Sequence, residues 1–140
     1  MLAQVEQNYT ANLIGQDEVP PTNSEATGNS TLKLSSNGMS MKYEVNVKDI
    51  DKVTMAQIQQ GQKGENGPVV VTLIQFKALT PTGPVNGLLA EGNITADKLQ
   101  GPLKGKQISD LTTLIGENNV YVNVLTKQNP EGEIRGQIFD

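Results

Sequence analysis

Residues 38–50 read GMSMKYEVNVKDI, and in them Met39, Met41, Tyr43, Val45 and Val47 alternate with Ser40, Lys42, Glu44, Asn46 and Lys48. A period of two over that length sets the apolar residues on one face of a pleated strand and the polar ones on the other, as in a half-buried sheet. Just upstream, TLKLSSNG (31–38) is a second alternating run that ends in Asn37-Gly38. Asn-Gly tolerates the positive φ of tight hairpin turns, so the two runs predict a β-hairpin. Working outward, strands are expected at 9–14, 52–59, 69–76, 120–125 and 133–139, with turn signals at Asn66-Gly67-Pro68 and Asn129-Pro130-Glu131-Gly132.

Two segments depart from clean alternation. VVVTLIQF (69–76) is apolar on both faces and predicts a central strand covered on both sides. KALTPTGPVNGLLAEGN (77–93) is rich in Pro and Gly and reads as a surface excursion. Helical signals are short: TADKL with Thr95 as N-cap, and SDLTTLIG with Ser109 as N-cap and Gly116 as terminator. The expected fold is therefore all-β, an antiparallel Greek-key β-sandwich with one or two short connecting helices. Its core is expected to contain Leu32, Leu34, Tyr43, Val45, Val47, Val70, Val120, Val122, Val124, Ile134 and Ile138.

The 140 residues suit a single domain spanning 1–140, with 1–8 an extended or disordered N-terminal segment. Aromatics are only 4% of the chain, so Val, Leu and Ile must build the core. A net charge of −4 with eleven scattered Lys and Arg excludes a nucleic-acid footprint. No apolar run reaches the length of a membrane span, so no membrane insertion is expected. MLAQVEQ lacks a basic and an apolar leader region, while LAQ resembles the tail of a signal cleavage site. A secreted or cell-surface domain with its leader removed is the expectation. With no Cys and no His, disulfides, thiolate metal sites and the usual nucleophilic triads are excluded, and the chain is not expected to be an enzyme or to carry a cofactor.

Candidate binding residues come from strand faces. Gln57 and Gln59 share a side of one strand, Tyr121 and Asn123 of a second, and Glu133 and Arg135 of a third. Gln57, Gln59, Tyr121 and Asn123 suggest a polar patch whose amides supply paired donors and acceptors to a peptide or saccharide, the plainer reading being a solvated sheet face; Glu133 and Arg135 suggest an ion pair that positions the NPEG turn, with partner binding as the alternative. Met39 and Met41, with Met55 nearby, are soft donors suited to Cu(I), although gap-filling core is the commoner role. Asp49 and Asp51, and Asp17 with Glu18, are oxygen donors suited to calcium, without an EF-type loop. Asn8, Asn29 and Asn93 open Asn-x-Ser/Thr sequons.

ANLIGQDEVPPTNSEATGNSTLKLSSNG, IQQGQKGENGPVVVTL, ITADKLQGPLKG and NVYVNVLTKQNPEGEIRGQI, in that order, resemble the CHRD family, the chordin-type domain found in secreted bacterial and archaeal proteins. The resemblance covers roughly Tyr9 to Ile138 and implies an extracellular sandwich similar in strand layout to copper-zinc superoxide dismutase. Many members read HIH where this chain has Gln57-Ile58-Gln59, and VNVHT where it has VNVLT, so the positions of a histidine cluster hold Gln57, Gln59 and Leu125. A neutral amide is a weak ligand for copper or zinc, and Leu is none. The expected function is a non-catalytic extracellular structural or binding module. Its expected partner is another extracellular protein or a polysaccharide, and homo-oligomerisation through edge strands is a further expectation. The alternatives are a copper or calcium protein or metalloenzyme on a dismutase-like scaffold, and a carbohydrate-binding module with an aromatic platform around Tyr121 or Tyr9.

Overall fold

A computed structural model describes residues 7–76 and 82–140. The strands are β1 (Asn8–Ile14), β2 (Thr27–Leu34), β3 (Ser40–Ile50), β4 (Val53–Gln60), β5 (Val69–Gln75), β6 (Val85–Thr95), β7 (Val120–Thr126) and β8 (Ile134–Gln137), with one helix, α1 (Ile108–Gly116), before β7. Short 3-10 turns occupy Gly15–Asp17, Ala96–Lys98 and Gly101–Leu103.

Every strand pairing is antiparallel, in the order β5-β4-β7-β8-β1-β2-β3-β6. The seam between β8 and β1 is narrow, Ile14 opposite Arg135 with a bridge from Thr10 to Phe139. It divides the sheet into β5-β4-β7-β8 and β1-β2-β3-β6, and the chain passes between these halves from β3 to β4, β5 to β6 and β6 to β7. The apolar faces meet in one core, and the sheet nearly closes where the Tyr43 hydroxyl of β3 donates to the Leu73 carbonyl of β5. This is the expected all-β sandwich. Each fully buried Val or Ile in it contributes roughly 1.5–3 kcal/mol relative to exposure.

The alternation of β3 is realised: Met41, Tyr43, Val45 and Val47 are buried. Asp49, with φ 58°, sits where the β3–β6 register shifts, and the changed phase buries Ile50. The hairpin turn is also as read, Gly38 taking φ 74° while Asn37 Oδ1 accepts the Met39 amide. Met39 itself lies in that turn, 70% exposed, so Met39 and Met41 form no soft-ligand pair.

Several expectations are corrected. Of residues 69–76, Val69–Gln75 form a strand at the end of the sheet order, not a central one. Their second apolar face is explained by the 3-10 connections against which β5 packs, where Gln100 N–H caps the Val70 carbonyl. Within 77–93, residues 77–81 lie outside the described residues, but 85–93 belong to β6, paired along β3. The N-cap of α1 is Gln107, in a capping box with Asp110, rather than Ser109. Ile108, Leu111 and Ile115 make one buried stripe, and drawing Ile108 into the first turn moves the cap upstream. Asn118, with φ 56°, is the left-handed residue after the helix, not Gly116. Thr95 does take the N-cap position, but of a 3-10 turn and without a side-chain capping hydrogen bond. Of the expected N-terminal segment, residues 1–6 lie outside the described residues and Asn8 opens β1; Leu34 is only partly buried.

Candidate functional site

The six predicted binding residues come together on one face of β4, β7 and β8. Gln59, Tyr121 and Gln137 pair in one row, Gln57, Asn123 and Arg135 in the next, and Glu133 directly precedes β8. This face is not solvated. Arg135 is 1% exposed and Tyr121 0%, because residues 61–68 fold back over them.

That loop is fastened by side chains. The Arg135 guanidinium donates to Asn66 Oδ1 at 3.1 Å and to the carbonyls of Gln62 at 3.0 Å and Glu65 at 2.5 Å, and stacks 3.5 Å over the Tyr121 ring. The Gln59 amide donates to the Gly67 carbonyl at 2.8 Å and the Tyr121 hydroxyl at 3.0 Å, and that hydroxyl accepts the Gly67 N–H. Gln59 Oε1 accepts from Asn123 Nδ2, whose other proton goes to the Glu131 carbonyl. Asn66 Nδ2 reaches the Val19 carbonyl, linking the loop to the segment after β1. Gln57 donates to the Met55 sulfur. Met55 and Leu125 pair on this same face, so the three positions named by the resemblance, Gln57, Gln59 and Leu125, do share a side of the sheet. Two amides and an alkyl group occupy it, a poor donor set for a metal.

Beside this network opens a cleft of about 950 Å³, lined by residues 18–24, by Asp49 and Asp51 after the β3 bulge, and by residues 128–133. The sequence pieces EVPP and NPEGE, far apart in the chain, thus form facing walls. Glu133 braces both: its carboxylate accepts from Ser24 and Thr126, each at 2.7 Å, and from Asn129, while its carbonyl accepts from Thr22. Glu133 and Arg135 therefore serve separate partners rather than each other.

The sequence reading named Asp49, Asp51 and Glu18 only as calcium donors; they meet at this cleft. Among the described residues no group of three or more acidic side chains is arranged to hold a metal ion. Asp17 faces Lys63 at 3.9 Å. Glu18 is 5% exposed, and its carboxyl is pushed up to about 7, mainly by burial. Arg135 pulls it down, and Asp17 and Glu133 push it further up. Gly132, with φ 139°, is what lets the walls approach: a Cβ there would collide with Asn123 Oδ1 and both Glu18 carboxylate oxygens. The sequence reading missed Gly132, Ser24 and Thr22 as wall-forming residues; their only signal was membership of the turn-rich pieces EVPPTNS and NPEGE.

Fold and site together define a class, the small antiparallel β-sandwich domain with a polar cleft at one end. The family model of the CHRD domain matches residues 9–138, nearly the whole chain, and the chain belongs to that family. No curated protein and no solved structure matches it. No helix among the described residues is long and apolar enough to cross a membrane.

Proposed function

We propose that the domain is a non-catalytic, secreted or surface-attached binding module, that the end cleft is its recognition surface, and that its partner is a basic segment of another extracellular protein. The lining of the cleft carries the reading. Beside the buried Glu18, Asp49, Asp51, Glu131 and Glu133 contribute four acidic side chains, and among the described residues no Lys, Arg or aromatic residue lines it. Low-dielectric walls of one sign concentrate field and favour ligands of the opposite sign. A polysaccharide is less well served, since Tyr9 and Tyr121 are 6% and 0% exposed and offer no stacking platform. Family membership supports the extracellular setting. In this reading the buried residues Gln57, Tyr121, Asn123, Glu133 and Arg135, with the half-buried Gln59, position the cleft walls from below.

The test is calorimetric titration with Lys/Arg-rich, neutral and acidic peptides at low and high salt. Basic peptides should bind with affinity that falls as salt rises, and Asp49→Asn with Asp51→Asn and Glu131→Gln should weaken binding by about tenfold or more. Equal binding of neutral peptides, or no effect of the triple variant, would overturn the reading.

A further inference from the structure

We propose that Glu18 is a proton-controlled latch of the end cleft: as a neutral acid it donates its proton to Asn123 Oδ1 and ties the 18–24 wall to the 131–133 turn, and on ionising it lets that wall go. This rests on the reading of the cleft as the recognition surface, because it assigns regulation to the same site.

The argument is one of donor accounting. Gln59 Nε2 is committed to Gly67 and Tyr121, so Gln59 Oε1 needs a donor, and Asn123 Nδ2 supplies it at 2.8 Å. The second Asn123 proton goes to the Glu131 carbonyl at 3.0 Å. The orientation of the Asn123 amide is thereby fixed, with Oδ1 turned the other way and without a donor. Glu18 Oε2 is also buried without a donor. Both oxygens close on the space left by the absent Cβ of Gly132, so two orphan acceptors are neighbours. Buried unpaired acceptors are costly, and two of them also repel. A single proton on Glu18 turns one acceptor into a donor and satisfies both. Both atoms are closed to solvent, so a proton reaches this place where a ligand group does not.

The charges around Glu18 allow this state. Arg135 from β8 favours the anion, but its three hydrogen bonds go to Asn66, Gln62 and Glu65. Asp17 beside it and Glu133, just before β8, favour the acid, and Lys63 lies against Asp17 instead. Asp49, Asp51 and Glu131 add negative charge across the cleft. Burial acts in the same direction.

Carboxyl-carbon NMR titration of the ligand-free protein tests the latch independently of any partner. Glu18 should titrate near neutrality, and the Asn123 side-chain amide and Gly132 backbone resonances should move with the same midpoint. Glu18→Gln, whose amide N–H replaces the acid proton, should keep those two resonances constant across that range. Titration of Glu18 in the ordinary carboxylate range, or Asn123 resonances that ignore it, would overturn the proposal; the wild-type measurement decides even if the variant does not fold. Peptide affinity measured across the same pH range is separate: a latch that titrates in a protein that binds no basic peptide would remove the recognition reading and leave the latch.

Discussion

Replacing Arg135 by Met should cost roughly 2–4 kcal/mol of stability and free the 61–68 loop. Arg135 makes three hydrogen bonds from a charged donor and stacks 3.5 Å over Tyr121, with 1% of its surface exposed. Deleted one by one, charged hydrogen bonds are worth about 1.5–3 kcal/mol each, and the ring contact about 0.5–2. Their sum overstates the loss, for two reasons. Gln62, Glu65 and Asn66 are exposed, so their oxygens regain water once the loop lifts. Burying a guanidinium also costs several kcal/mol, which the apolar Met recovers while filling much of the stem volume. Arg135→Lys should fall between the two, because it keeps the charge but not the fork that reaches three acceptors. Urea unfolding gives the stability, and limited trypsin cleavage after Lys63 reports the loop. A loss below about 1 kcal/mol together with unchanged cleavage at Lys63 would refute the view that Arg135 fastens the loop.

Three further outcomes follow from the same packing. Val122, 0% exposed on the core face of β7, should cost about 1–3 kcal/mol when cut to Ala, read from the urea midpoint. Gly67→Ala should destabilise by about 2 kcal/mol or more and raise cleavage after Lys63, since a Cβ there runs into the Gln60 carbonyl. For Glu18 the sign is set by a folded value, about 7, that lies above the ordinary 4.5. The folded state holds the extra proton, so the contribution is complete below the ordinary value and lost as pH rises to about 7, by up to roughly 3 kcal/mol. Unfolding midpoints across that window should decline in wild type and flatten in Glu18→Gln.

Most of the fold was legible because a half-buried strand writes its environment as alternation, and β3 does so over most of its length. β6 was not legible, because only Ala90 and Ile94 of its eleven residues are buried and Gly87, with φ 126°, interrupts it. Gln57, Gln59, Tyr121 and Asn123 share a face as the alternation suggested, but that face is covered rather than solvated. Alternation reports which side chains share a face, not whether a distant loop lies on that face. The contact that decides it, Arg135 to Asn66, spans 69 positions in sequence. β7 carries Tyr121 and Asn123 between its core valines and is buried on both sides, a state that sequence suggested for β5 on the strength of its apolar residues.

Gln59, one of the positions where the family resemblance implies a histidine, has a physical account. An imidazole offers one donor or acceptor on each side of a ring, whereas an amide offers two donors and a carbonyl from one end. Gln59 uses all of these: two protons hold Gly67 and Tyr121, and its oxygen holds Asn123. Asn123 in turn holds the Glu131 carbonyl of the cleft wall, and Tyr121 supports the guanidinium that grips the loop. The chain of hydrogen bonds therefore runs from the 61–68 loop through the sheet to the walls of the cleft. Removing the Gln59 amide, by Gln59→Leu, leaves the Asn123 Nδ2 proton without its acceptor and the Gly67 carbonyl without its donor. Its effect should appear at both ends, as faster amide exchange in 61–68 and shifted resonances at Glu131 and Gly132. A change confined to the loop would show that the two ends are built independently.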